Sequence, residues 1–401
     1  MDTVSTIAAN AATPTRDYAV GNFNKGETRS DLTKQWIARP ADQRFLSLTD
    51  LHTAVKARAD QTTEARIDTN KVEFIAPEPR VTADLHKLSI GLPSGEEIAP
   101  THWSFGQLAS LAQAPAGYLR KLPSQIVADA LTYGMRYNRS VEAIKTYGTS
   151  DELLAATGPD YGRIYDREVV EAVQQIAGNG TGDARWKVPG VLDWRTMRYD
   201  PEHPVTLDTT TLYASDRDVF IFLVDDRNPI EIGKLPSGDP DLVFRGFYIS
   251  NSEVGSSSLK LAAFYLRAVC CNRLMWGVEG FQEISMRHSK YAPSRFIEEA
   301  RPALQSFADG STQRLLEGVE KARAAKVASS NDEVIEFLRN RKFSASRANE
   351  VVEYVEKEEG RPARTIWDLA QGISAVARTI PHTDERVQFE QEARRILDKV
   401  A

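Results

Sequence analysis

The spacing of apolar residues divides the chain into stretches of different character. The first 30 residues are rich in Ala, Thr, Asn and Gly with few large apolar side chains, and they read as a flexible leader. From Asp31 onward Trp36, Phe45, Leu48, Leu51 and Val55 recur at loosely helical spacing, with Ser47 or Thr49 placed to cap a helix through Val55. Between 101 and 137 the pattern is again helical. Pro115 fits a first helical turn, Pro123 stops the segment that holds Tyr118, Leu119 and Leu122, and Ile126 to Leu131 starts a second amphipathic run. The aromatics of this stretch are read as core.

Strand-like runs follow. Asp151 to Thr157 is apolar, Gly158-Pro159-Asp160-Tyr161-Gly162 makes a turn, and Asp166 is placed to cap a helix over Val169 to Ile176. The Gly-rich stretch 178–182 reads as a loop. Thr209 to Tyr213 and Val219 to Val224 are β-branched and aromatic runs joined by five polar residues, as in a hairpin, and Phe244 to Ser250 is the next strand. The apolar run after it predicts a helix over Leu259 to Asn272. Beyond Pro293 strand patterns give way to charged helical ones: Arg295 to Phe307, Thr312 to Ala328, Asn331 to Asn340 with Asn331 as cap, Ser346 to Glu359, Ile366 to Ala377 and Asp384 to Val400. The expected fold class is α+β, a mixed, mainly antiparallel sheet with packed helices, followed by a helical C-terminal region. The expected divisions are a leader (1–30), a small N-terminal region (31–100), an α+β core (101–292) and the helical region (293–401).

Composition supports a folded chain and removes some partners. Of the 401 residues 41% are apolar and 26% charged, and the net charge of -6 argues against coating nucleic acid by bulk positive charge, while leaving a local basic surface open. Cys270 and Cys271 are adjacent, so a bond between them would be strained; they read as free thiols and small core residues at a helix end. No basic-then-apolar signal pattern opens the chain, and no window approaches the roughly 18 apolar residues of a membrane span. The expectation is a cytoplasmic protein with no membrane partner; packaging in a virion, which also lacks a secretory signal, is not excluded.

Familiar catalytic motifs are missing: no Walker loop, GxGxxG, HExxH, GxSxG or CxxC occurs. The six histidines stand at no metal-ligand spacing, so no metal and no cofactor is expected. Asp225-Asp226 would suit Mg2+, but directly after a strand and before Asn228-Pro229 they read as a turn. Two places could carry chemistry. At Asn251 to Ser258, Asn251, Ser252 and further hydroxyls gather at the start of the expected helix, where an anion is favoured. Lys260 and Arg267, seven residues apart, would share a helical face there, with Arg245 and Arg273 flanking. The alternative is that the serines cap a turn, Gly255 supplies backbone freedom and the cations snorkel. A buried Arg267 needs a partner, and an internal acid would answer that need as well as a ligand. The second place is Arg185 to Tyr199, where Arg185, Lys187, Arg195 and Arg198 alternate with Trp186, Trp194 and Tyr199, a pattern suited to stacking unpaired bases above a cationic groove or to an edge strand with solvent-facing arginines.

The segments Gly246-Phe247-Tyr248-Ile249-Ser250-Asn251-Ser252-Glu253-Val254-Gly255 and Cys270-Cys271-Asn272-Arg273-Leu274-Met275-Trp276-Gly277 resemble a phage- and plasmid-associated family catalogued as domain of unknown function 932. Supporting similarity runs from His102-Trp103-Ser104-Phe105-Gly106-Gln107-Leu108, Pro115 and Tyr118 to Arg287-His288-Ser289, Arg295-Phe296, Trp367-Asp368 and Arg378. Where that family commonly has Asn-Gly after the cysteine, this chain has Asn272-Arg273. The resemblance implies an origin on phages, prophages or conjugative plasmids, whose neighbouring genes handle DNA. Three functions are weighed. The first is an accessory protein of DNA metabolism binding single-stranded DNA in recombination or annealing. The second is a non-enzymatic structural or assembly protein of a phage, acting as a homo-oligomer. The third and least supported is an enzyme on a phosphate-bearing substrate at Asn251 to Ser258, for which no nucleophile stands out.

Overall fold

The computed structural model describes residues 41–76, 88–138, 141–189, 191–192, 199–200, 204–268, 273–274, 284–380 and 383–399. The leader, Cys270, Cys271, Trp194, Arg195 and Arg198 lie outside them. Along the chain the elements are β1 (Arg44–Phe45), α1 (Leu48–Ala59), β2 (Thr63–Asp68), β3 (Phe74–Ile75), β4 (Ser89–Gly91), β5 (Glu97–Pro100), α2 (His102–Leu111), α3 (Ala116–Leu119), α4 (Ser124–Tyr137), β6 (Ala143–Gly148) and β7 (Glu152–Thr157). Then come α5 (Asp166–Ala177), β8 (Val191–Leu192), β9 (Tyr199–Asp200), β10 (Leu212–Ala214), β11 (Val219–Lys234), β12 (Pro240–Asn251), β13 (Leu259–Arg267), β14 (Arg273–Leu274) and β15 (Ile284–Met286). The helical region holds α6 (Ala292–Asp309), α7 (Gln313–Ala324), α8 (Asn331–Arg339), α9 (Ala345–Glu359), α10 (Ile366–Thr379) and α11 (Thr383–Leu397). The fold is α+β with a helical C-terminal region, as the patterning predicts.

Two sheets organise these elements. The larger runs β1-β10-β11-β12-β13, with β14 and β15 both on the outer edge of β13, and every pairing is antiparallel. The smaller runs β2-β6-β7-β5-β4-β3 and is mixed, because β5 pairs with β7 in parallel. A short β8-β9 pair stands apart from both sheets.

Where a helix is expected over 259–272, Leu259–Arg267 is a strand. In β13, Leu259, Leu261, Ala263 and Tyr265 face one core, while Ala262, Phe264 and Leu266 face another. Both faces are buried, so the run is apolar without a period of two, and such a run cannot be distinguished from a buried helix by pattern alone. Leu and Ala also favour helix locally, and pairing with β12 along its length overrides that preference. Two caps also shift by one residue: Tyr165 stands before α5 with Asp166 as its first residue, and Ser330, not Asn331, caps α8.

The first face of the large sheet packs on α1 through Leu48, Leu51 and Val55 and on α5 through Val169, Val170 and Val173, and the same core continues into Leu315, Val351, Trp367 and Ile373. On the opposite face Phe220, Phe222, Phe244, Tyr248 and Phe264 cluster, with Phe222 stacked on Phe264 at 4.6 Å. The small sheet has its own core, built from Ile90, Ile98 and Ile144 against Phe105 and Leu108 of α2 and Val127, Leu131 and Met135 of α4. α10 is buried from Ile366 to Arg378 and forms the centre of the C-terminal helices.

Candidate functional site

The Asn251-Ser252-Glu253-Val254-Gly255 turn sits where the two sheets meet. β12 delivers it: Asn251 is the strand's last residue and pairs with Val219 across the ladder. Asn251, Ser252, Glu253 and Val254 are buried. Most of their polar atoms are taken up inside the protein. The Val254 carbonyl accepts from Trp103 Nε1 at 3.1 Å and Gln107 Nε2 at 2.8 Å, both on α2 of the small-sheet layer. Glu253 Oε1 accepts from the Tyr147 hydroxyl of β6 at 2.9 Å, and Oε2 from the Asp166 amide of α5 at 3.0 Å. Asn251 Nδ2 donates to the Ile164 carbonyl at 2.8 Å and to Asp166 Oδ1 at 2.7 Å. Ser252 Oγ donates to the Arg217 carbonyl at 2.6 Å and accepts from the Ser256 amide at 2.9 Å. Gly255 has φ 83°, a conformation that favours glycine, and a Cβ there would also crowd the Tyr161 hydroxyl at 3.1 Å. The serines and glycine thus build a turn.

Arg163 secures the joint from below. Its guanidinium donates to the Glu253 carbonyl, pairs with Glu64 and lies 4.3 Å from the Tyr147 ring centroid. His288 stacks on Tyr161 at 5.1 Å and accepts from the Ile164 amide at 3.4 Å. Burial lowers its pKa to about 4, and burial with the charges of Arg120 and Arg217 lowers that of His102 to about 4. Asp166 moves the other way, well above the usual carboxylate range, through burial first and then the charge of Glu253. Burial, then Glu253, also raises Tyr147. The segments 102–107 and 251–255 and His288 therefore converge on one joint.

The cations named from the sequence do not converge. On a strand, residues seven apart point to opposite faces. Lys260 is half-buried on the side of Ala262 and Phe264, while Arg267 emerges on the other at the junction with the C-terminal helices. Arg267 has internal acids: Nε and Nη2 bond the two oxygens of Asp241 at 2.8 Å each, and Nη1 pairs with Glu359. Arg323 of α7 reaches the same Asp241 at 2.7 Å and lies 5.0 Å from the Trp367 ring centroid. Arg185 pairs with Asp225 at 2.8 Å and Asp309 at 3.2 Å, Lys187 with Asp226 at 2.9 Å, and Arg245 donates to the Gly310 carbonyl at 2.7 Å. Asp225 and Asp226 lie within β11 where its register breaks. Arg273 pairs with Leu266 through the backbone of β14.

An exposed surface carries what the sequence reading missed. Trp103 and Phe105 face inward, but Tyr118, Tyr133 and Tyr137 are 61%, 64% and 68% exposed. Tyr133 and Tyr137, one turn apart on α4, stack with ring centroids 4.3 Å apart and planes at 26°. Ile126 is exposed on the same helix at 52%, and Arg136 is exposed between the two tyrosines. Placing Val127, Leu131 and Met135 on the buried face of α4 would have put these tyrosines on the opposite one.

Fold and joint together define an α+β protein whose most recognisable motif is structural. The family model described as Domain of unknown function (DUF932) matches residues 154–388, more than half of the chain, and the chain belongs to that family. No curated protein and no solved structure matches it. Among the described residues no group of His, Cys, Asp and Glu is arranged to hold a metal ion, and no helix is long and apolar enough to cross a membrane.

Proposed function

We propose that this protein is a non-enzymatic accessory of DNA metabolism that binds single-stranded DNA, serving a phage, prophage or plasmid in the host cytoplasm. The observation that carries the reading is the stacked, solvent-open pair Tyr133–Tyr137 on α4. Two aromatic rings held in register on a helix offer unpaired bases a platform, worth about 1–3 kcal/mol per base, that tolerates any sequence. Arg136 adds a cation beside the rings for the phosphate backbone. The polar groups of Asn251 to Val254 are engaged by Trp103, Gln107, Tyr147, Asp166 and Arg217, which favours a structural role over an enzymatic one at that turn. Arg185, Lys187 and Arg267 are matched by carboxylates, so stacking rather than those cations supplies the affinity.

Fluorescence polarisation of a labelled oligonucleotide over a salt series tests this, with native mass measured in parallel. Expected are salt-sensitive binding to single strands in preference to duplex, and a loss of roughly 5- to 150-fold in the double variant Tyr133→Ala/Tyr137→Ala. No binding at low salt overturns the reading. A defined oligomer that ignores DNA would instead favour an assembly protein.

A further inference from the structure

We propose that Asp166 is held as the neutral acid and that a single proton closes an acid–amide ring between Asp166 and Asn251, making the joint of the two sheets a pH-sensitive fastening. The geometry begins with the 2.7 Å bond from Asn251 Nδ2 to Asp166 Oδ1, which joins a carboxyl and an amide, two flat groups of the same shape. The second oxygen of each, Asp166 Oδ2 and Asn251 Oδ1, is buried with no hydrogen-bond partner among the described residues. Two acceptors left unmet in one such pair are both satisfied by one hydrogen: a protonated carboxyl is a donor as well as an acceptor, so Oδ2–H donates to the amide oxygen while the amide N–H donates back. Turning the amide over does not solve the problem, since Nδ2 also serves the Ile164 carbonyl and an amide oxygen there would face two acceptors.

The surroundings favour the neutral acid. Asp166 is 1% exposed, and among the described residues no cation bonds it. Glu253, bonded to the Asp166 amide, presents a second carboxylate from the end of β12. Asp218, from the turn before β11, is held by Ser215, and the Arg58 guanidinium of α1 is used on the Ser215 carbonyl. Arg163 is engaged by Glu253 and Glu64, Arg217 by Asp216, and Tyr147 by Glu253, while Tyr161 and His288 stack on each other. Burial and the Glu253 charge both push Asp166 toward the protonated form. The unfolded carboxyl is ionised at neutral pH, so folding takes one proton from solvent.

The sign of the pH dependence follows. The folded state holds a proton that the unfolded state has released, so stability falls as pH rises from the ordinary carboxylate value to the elevated native one. His102 and His288 act in the opposite direction and below about pH 6.5, so measurement above that pH removes their part; Glu168 and Glu358, also raised by burial, act in the same direction as Asp166, and the Asp166→Asn variant separates it from them.

The test combines infrared spectroscopy with denaturation. Wild-type protein at neutral pH should show the carbonyl band of a protonated carboxyl, absent from Asp166→Asn. Between pH 6.5 and 9 the wild-type unfolding constant should rise by up to about tenfold per pH unit until the acid ionises, and Asp166→Asn should flatten that slope. Asn251→Asp, which pairs two carboxyls around one proton, should fold at pH 5 and lose stability more steeply than wild type as pH rises. No protonated-carboxyl band in the wild type overturns the proposal, as does a pH slope that Asp166→Asn leaves unchanged. Should Asp166→Asn fail to fold, the band and its shift on carboxyl-labelling of aspartate in the wild type decide alone.

Discussion

At one end of β12 the Asp241 carboxylate faces two guanidinium groups, from Arg267 and Arg323; at the other end, roughly 33 Å along the strand, Asn251 and Glu253 face an acid, an amide N–H and a phenol. Both ends are buried. The first joins the large sheet to the C-terminal helices by charge that balances within the cluster, with Arg267 and Arg323 against Asp241 and Glu359. The second joins it to the small sheet mainly by hydrogen bonds among groups of which several are uncharged. A strand thus uses two solutions to the same cost of burying polar atoms. Ion pairs are unforgiving of truncation and indifferent to pH near neutrality, whereas a joint that depends on the protonation of Asp166, His288 and His102 responds to pH.

The contrast breaks first at the charged end. Arg267→Ala leaves Asp241 and Glu359 buried with one cation between them and should cost about 3–5 kcal/mol, read as a fall in the urea midpoint at unchanged slope. At the hydrogen-bonded end Gly255→Ala should cost about 1–3 kcal/mol, because the added methyl occupies left-handed backbone against the Tyr161 hydroxyl. Acidification separates the two ends more finely. His288 has its pKa lowered, so the stability it contributes is complete above about pH 6.5 and is lost as pH falls toward 4, at up to about 1.4 kcal/mol per pH unit. His288→Phe should remove that part of the acid slope, while Arg267→Ala should leave it in place; equal acid slopes in wild type and His288→Phe would contradict the assignment. The smallest effect on stability belongs to the exposed surface, where Tyr133→Ala/Tyr137→Ala should change unfolding by no more than about 0.5 kcal/mol per site while oligonucleotide binding drops.

The elements were legible where only one face is buried or where breakers punctuate the chain. The hairpin from β10 to β11, strand β12 and the six C-terminal helices follow from turn residues, β-branched runs and helical spacing. β13 was not, because Leu259 to Leu266 is apolar on both faces. That single misreading decided how the candidate cations were grouped, since Lys260 and Arg267 share a face on a helix and part on a strand. The partners of Arg267 were also hidden: Asp241 and Glu359 are 26 and 92 residues away, a proximity no local pattern encodes. The exposed tyrosines were within reach, because the buried face of α4 is written in Val127, Leu131 and Met135.

The matched family region opens at residue 154, inside β7, yet the turn at 251–255 is completed by Trp103, Gln107 and Tyr147, all encoded before that point. A gene fragment cut to the matched boundaries would deprive the Val254 carbonyl of both its donors, the Glu253 carboxylate of its phenol, and β7 of β5 and β6. The matched region is therefore smaller than the folded unit that holds the turn. Expression of this protein should start upstream of β1, so that the small sheet and the helix Leu48–Ala59 are translated together with the motif and sheet they support.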